Sequence, residues 1–180
     1  MIPPWRTSGF PDIASSMLRK HATGKKLLEI GCGEGTDAAH LQDIGFEYLG
    51  LDLYPDPLTI AKKNNKSSTF IQRDFFETTY TNDFDVVFDR GAFHNLHGVK
   101  ERQLFGKRVA HTLTKEGVWL NISGAADHRR NDFKHGSVFL RDIINPIEPF
   151  LEIVDVRKGQ YGLEQARDFV AWFVVFKSRK

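Results

Sequence analysis

Three glycines spaced G-x-G-x-G, Gly31, Gly33 and Gly35, punctuate the run Leu27-Leu-Glu-Ile-Gly-Cys-Gly-Glu-Gly-Thr-Asp-Ala-Ala-His-Leu41. A buried strand leads into them and a helix leads out. The backbone must therefore turn tightly where a ligand approaches without meeting a Cβ. Backbone N–H groups at the start of the following helix suit an anionic or carboxylate-bearing ligand. The spacing differs from the G-x-G-x-x-G of dinucleotide-binding domains. About twenty residues on, Asp52 closes a second apolar run, where a carboxylate bridges two ribose hydroxyls. Leu53 and Tyr54 follow it as candidate walls for an adenine ring. Glycine-rich turns also occur without ligands; Asp52 is what tips the reading towards a nucleotide-like one.

A second group of reactive side chains follows the fourth apolar run: Asp89, Arg90, Phe93, His94 and, more remotely, His97. Ligands of open α/β sheets bind beyond the carboxyl ends of the strands, where these residues fall. An imidazole titrates in the range useful for proton transfer, so His94 can deprotonate a substrate or stabilise a thiolate. Equally, it can hydrogen-bond a loop carbonyl near the next helix start. His40 and His111 fall in expected helices and read as structural. His128 and His135 flank the segment after the fifth strand.

These groups need a scaffold, and the hydrophobic pattern supplies one. Short apolar runs at Lys26–Ile30, Tyr48–Leu51, Thr69–Gln72, Asp85–Phe88 and Val118–Ile122 read as strands. Helices are expected near Gly35–Ile44, Pro57–Asn64 and Val99–Leu113, with another at Phe10–His21. Such alternation indicates βαβ units and a mostly parallel sheet covered on both faces. The last part departs from it. Leu151–Val156 and Phe169–Phe176 read as strands joined by a loop, Arg157–Asp168, too short for a helical crossover, so they pair antiparallel. The almost continuous apolar run of the last strand places it inside the sheet. Three prolines and a glycine make Pro3–Pro11 a loop or flap.

Composition narrows the function classes. The 180 residues fit one domain, and a net charge of +2 is too small to suggest nucleic acid or an anionic membrane as partner. Fifteen Phe and three Trp point to an aromatic-rich interior or pocket. With Cys32 the sole cysteine, no internal disulfide or multi-cysteine zinc site can form. The amino-terminal residues form no signal-peptide-like apolar run, and no later segment is long enough to span a bilayer. A cytoplasmic location is the resulting expectation.

The glycine loop, an acidic residue then an apolar one before G-C-G-x-G, resembles motif I of the class I S-adenosylmethionine-dependent methyltransferases. Later motifs match in order: Leu49-Gly-Leu-Asp-Leu53, Gln72-Arg-Asp-Phe75, Phe84–His94, and the turn Leu113-Thr-Lys-Glu-Gly117, where Lys115 replaces a proline. The resemblance covers about residues 26 to 123. It implies a Rossmann-like α/β fold with a mostly parallel seven-stranded sheet, an antiparallel last strand lying between the fifth and sixth, and helices on both faces. It divides the chain into an amino-terminal lid and helix (1–25), a cofactor-binding core (26–123) and a substrate-side segment with the final strand pair (124–180).

By the same resemblance the cofactor is S-adenosylmethionine. Glu29, Gly31, Cys32 and Gly33 surround its methionine part, Asp52 takes the ribose beside Leu53, and Asp74 with Phe75 holds the adenine. Asp89 and Arg90 lie near the methionine or the acceptor. The sequence Asp89-Arg-Gly-Ala lacks the Asp/Asn-Pro-Pro-aromatic motif of methylases acting on nucleic-acid amino groups. Pro3-Pro-Trp5, Gly9-Phe-Pro11 and Asp89-Arg-Gly-Ala-Phe-His94 resemble the small thiol/halide, thiopurine and tellurite-resistance branch, although Arg6 stands where an Asp is typical. In that branch Trp5 folds over the cofactor; alternatively it packs on the sheet. The implied acceptor is a small molecule, with a thiol or other soft nucleophile the first candidate. An oxygen or nitrogen acceptor, a non-catalytic binding module and a nicotinamide dehydrogenase are the alternatives.

Overall fold

The computed structural model describes residues 9–126, 137–161 and 170–180. Seven strands form one sheet: β1 (Lys26–Ile30), β2 (Glu47–Asp52), β3 (Thr69–Gln72), β4 (Phe84–Arg90), β5 (Leu113–Gly124), β6 (Leu151–Gln160) and β7 (Val170–Ser178). Their order is β3-β2-β1-β4-β5-β7-β6. Neighbours from β3 to β5 pair parallel, whereas β7 runs antiparallel to both β5 and β6. The last strand thus lies between the fifth and sixth, and its apolar run is buried there on both sides.

Alternate residues of each strand feed two cores. On one face Leu27, Val86, Phe88, Leu120 and Phe173 meet α1 (Asp12–His21), α2 (Ala38–Asp43) and α3 (Pro55–Asn64) through Met17, Leu18, Leu41 and Leu58. On the other, Leu28, Val87, Trp119, Val174 and Phe176 meet α4 (Gly98–Thr112) and α5 (Leu140–Ile147) through Phe105, Val109, Ile143 and Ile147. Both cores are rich in buried aromatic rings, and in the second they cluster around Trp119. Trp119 stacks on Phe176 at 5.0 Å and meets Phe93 and Phe105 at 5.5 and 5.6 Å.

Several element bounds differ from the sequence reading, and the helix Leu140–Ile147 was not expected; three differences have a clear physical cause or consequence. Helix α2 begins only at Ala38, because Gly35 has φ +70°, outside the right-handed helix. The turn Leu113–Gly117 is absorbed into β5 as an irregularity, with pairing jumping from Phe84↔Leu113 to Val86↔Val118. Residues 157–160, expected in a loop, instead continue β6: Arg157 pairs with Phe173 and Gln160 with Val170. An edge strand exposes one face to water, so polar residues sustain it without the apolar run that marks a central strand.

Truncating the fully buried Trp119 to Ala is expected to destabilise the fold by about 3–5 kcal/mol through cavity formation. Urea unfolding of the variant checks this.

Candidate active site

A cavity of about 670 Å³ opens beyond the carboxyl ends of β1, β2 and β4. Its walls come from the β1 turn, the residues after β2 and β3, and the 3₁₀ turn Phe93–Asn95 after β4.

The glycine turn is fixed by the neighbouring strand. Leu51 C=O accepts from Gly31 and Cys32 N–H at 2.7 and 3.0 Å. A side chain on Gly31 would meet Ala92 Cβ at 2.8 Å, whereas nothing lies within 4 Å of a Cβ position on Gly33. Gly33, with φ +52°, therefore leaves open a cradle that a ligand can fill. The Cys32 thiol points into the core, where burial raises its pKa and leaves it an unreactive thiol. The backbone beside it borders the cavity.

Asp52 ties this turn to the next one. Gly33 N–H donates to Oδ2 at 2.7 Å and Tyr54 N–H to Oδ1 at 2.9 Å. Each oxygen keeps a further lone pair for a hydroxyl. Leu53 and Tyr54, 50% and 64% exposed, stand beside it as apolar walls. Asp74 accepts from Phe76 N–H through Oδ1 at 2.9 Å, and Oδ2 has no partner among the described residues. The neighbouring Phe75 ring packs on Phe105 at 5.1 Å and shapes the same end of the cavity.

Glu29 is 3% exposed and accepts from Tyr48 Oη at 2.5 Å. Burial, reinforced by the nearby Asp37 carboxylate, raises its pKa well above the ordinary range. Arg90 supplies the positive charge of this region. It reaches Asp37 at 2.7 Å, donates to Thr36 Oγ1 at 3.3 Å and donates to the Gly9 carbonyl at 2.9 Å. Both Glu29 and Arg90 border the cavity.

Asp89 does not. Its carboxylate is fully buried on the other face of the sheet and accepts from Trp119 Nε1, Asn121 Nδ2 and Phe93 N–H at 2.9, 2.9 and 3.0 Å. The expectation that it lies near methionine or acceptor is corrected: successive strand residues point to opposite faces, so Arg90 faces the cavity and Asp89 the core. Burial still raises its pKa to about 6 against these hydrogen bonds.

His94 borders the cavity, with Nδ1 accepting from Gly124 N–H at 3.2 Å. The neutral ring therefore carries its proton on Nε2. Burial, with the Arg102 guanidinium nearby, lowers its pKa to about 4. In that tautomer Nε2 is a donor, and among the described residues no hydrogen bond joins the ring to a loop carbonyl. His97 is exposed before α4. His40 is structural, stacked on Phe10 and bonded to Ser15 Oγ at 2.9 Å. Trp5, His128 and His135 lie outside the described residues.

Thr36 of the glycine loop borders the cavity, and among the lining residues that escaped the sequence reading are Asp37 and Tyr161. Asp37 closely follows the glycine loop and could have been read as part of it. Tyr161 lies just past β6, where the pattern indicated only a loop.

A family model described as a methyltransferase domain matches residues 28–120, more than half of the chain. The chain belongs to this methyltransferase family. It is an S-adenosylmethionine-dependent enzyme, and the residues around the Gly33 cradle fit that cofactor in chemistry. Comparison with curated proteins returns no match. Among solved structures, the methyltransferase is similar in fold to the N-methyltransferase NodS from Bradyrhizobium japonicum in complex with S-adenosylhomocysteine, with TM-score 0.77, 17% identity and coverage of 100% of this chain and 94% of that one. It is similar to the 1,6-didemethyltoxoflavin N1-methyltransferase of Burkholderia thailandensis, bound to 1,6-didemethyltoxoflavin and S-adenosylhomocysteine, with TM-score 0.76, 17% identity and coverage of 98% and 81%. A TehB-like S-adenosylmethionine-dependent methyltransferase from Corynebacterium glutamicum aligns with TM-score 0.69, 20% identity and coverage of 97% and 94%. Among the described residues no helix is long and apolar enough to cross a membrane.

Because the folded-state pKa of Glu29 is raised, its ionisation costs stability as pH rises above the unfolded value. Glu29→Gln keeps an acceptor for Tyr48 and removes that cost. The variant is expected to gain little at about pH 5 and on the order of 1–2 kcal/mol at about pH 8, while binding the cationic cofactor more weakly. Urea unfolding at both pH values and calorimetric titration check the two effects.

Proposed function

We propose that this methyltransferase transfers the methyl group of S-adenosylmethionine to a small molecule presenting a soft nucleophile, with thiols the first candidates. The observation that carries this reading is the continuity of the cavity. It runs from Asp74 and Asp52, past the open Gly33 cradle, to Gly91, Ala92, His94 and Tyr161. Its volume of about 670 Å³ lies in the range of small-molecule sites, roughly 300–1,000 Å³.

The cofactor supplies a methyl group already activated as a sulfonium. What remains for the protein is to hold the nucleophile in line and keep water out. In this reading Asp52 accepts from the ribose hydroxyls, and the unpartnered Asp74 oxygen accepts from the adenine amino group. Leu53, Tyr54 and Phe75 enclose the ring, while Glu29 faces the positive methionine end. Arg90 keeps the glycine turn and the segment at Gly9 together around it.

Support for a soft nucleophile comes from His94. A neutral ring with Nδ1 engaged offers a donor and no base, which suits an acceptor needing little help to lose a proton. The resemblance of Asp89–His94 and Pro3–Trp5 to the thiol/halide, thiopurine and tellurite-resistance branch points the same way.

A donor-consuming assay across small thiols, halides, amines and hydroxy compounds is expected to give product with thiols or halides. Product only from amines or hydroxy compounds moves the acceptor to nitrogen or oxygen. Donor binding without product from any class favours a binding module. Asp52→Ala is expected to weaken S-adenosylhomocysteine binding by about ten- to a hundredfold, the scale of a hydrogen bond to a charged group. Unchanged affinity in calorimetry contradicts the ribose assignment.

A further inference from the structure

Two polar atoms, Tyr161 Oη and His94 Nε2, approach one point of the cavity, neither with a hydrogen-bond partner among the described residues. Tyr161 Oη lies 2.9 Å from the position a Cβ on Gly91 would take. His94 Cε1 and Nε2 lie 3.3 and 3.5 Å from that same position. Gly91, with φ +96°, lacks the side chain that would separate them. Neither Tyr161 Oη nor His94 Nε2 makes a hydrogen bond among the described residues, although Tyr161 is only 5% exposed and both residues border the cavity. Each atom therefore keeps a donor to offer to a group held in the cavity.

We infer that His94 Nε2–H and Tyr161 Oη–H form a two-donor acceptor subsite that takes the nucleophile as its conjugate base, a small soft anion such as a thiolate or halide. This deepens the methyltransferase reading given above and rests on it. Both donors are neutral at neutral pH. Nδ1 of His94 is held by Gly124 N–H, and burial raises the Tyr161 pKa, keeping it a phenol. Neither can remove a proton at the acceptor, so the acceptor arrives ionised. In the transfer, a lone pair on the anion forms the new bond to the methyl carbon. The methyl–sulfonium bond breaks, and its electron pair stays on the donor's sulfur. Anion and sulfonium become two neutral centres, and no proton is released.

The pair sits among fixed charges. Arg102 on α4 lies near His94; Arg90 on β4 lies over the Tyr161 ring at 5.7 Å, with Asp37, Asp89 and Glu29 further round it. Asp89 and Glu29 have raised pKa values, so a pH profile must separate their titration from that of the acceptor. Acceptors of graded acidity achieve this, because the protein groups stay constant while the acceptor pKa moves.

The first test titrates iodide and thiocyanate into protein saturated with S-adenosylhomocysteine. Wild type is expected to bind both saturably, and Tyr161→Phe to bind them about tenfold or more weakly. His94→Ala should show the same loss. Unchanged S-adenosylhomocysteine affinity in both variants establishes that they are folded. Anion binding equal to wild type in Tyr161→Phe overturns the subsite even if thiols are methylated. Anion binding that depends on the pair, with no methylation of any acceptor, leaves the subsite standing and removes the proposed reaction instead. The second test follows kcat/KM against pH for thiols of graded acidity. The inference requires the rising limb to move with the pKa of each thiol. A single limb common to all thiols assigns the proton to a protein base and overturns it.

Discussion

Burial of several acids around one arginine is the constraint on which the rest of this structure depends. Glu29, Asp37 and Asp89 lie at or beyond the carboxyl ends of β1 and β4, each 3% exposed or less, and Arg90 is the cation among them. Removing so many carboxylates from water is expensive, and the raised pKa values of Glu29 and Asp89 express it. Each is contained by a different device. Asp37 takes the guanidinium, Glu29 a tyrosine hydroxyl, and Asp89 three N–H donors. Of these groups Glu29, Asp37 and Arg90 border the cavity, two acids to one cation, a setting suited in chemistry to an ammonium- and sulfonium-bearing donor.

The same constraint explains the path of the backbone. Arg90 spans from β4 to the glycine turn and the carbonyl of Gly9. Asp52 spans from β2 to the same turn through Gly33. The turn therefore hangs between two side chains from neighbouring strands, and its glycines keep it close-fitting. Gly31 abuts Ala92 and Gly35 abuts the Phe70 ring, leaving Gly33 alone to face open space. A sequence pattern of three equivalent glycines resolves into two packed against side chains and one open to the cavity.

That division shows what was legible in the sequence. Strand alternation and the apolar run in β7 sufficed for the sheet and its antiparallel member, because burial on both faces leaves a strong mark. Asp52 and Asp74 were legible because each stands at a strand end followed by a turn. Asp89 and Arg90 were read as a pair because they are adjacent, yet adjacency in a strand sends side chains to opposite faces. Tyr161 left no trace. Its place in the cavity arises from long-range contact beside Gly91 and His94, and β6 carries a polar edge pattern that looks like loop in one dimension. The tautomer of His94 was equally hidden, since it depends on Gly124 N–H, 30 residues away.

Asp89 regains importance through what it holds. Its bond to Phe93 N–H moors the turn that follows β4, and Phe93 is fully buried against Trp119, whose indole N–H also donates to Asp89. Asn95 Nδ2 closes that turn on the Gly91 carbonyl at 2.7 Å, while Gly91 N–H donates to Ile122 at 3.0 Å. His94 is therefore fixed from below by Asp89 and from the side by Gly124. The aromatic core does more than fill space on that face of the sheet. Through one carboxylate, which accepts from both Phe93 N–H and the Trp119 indole, it is tied to the turn that carries the imidazole.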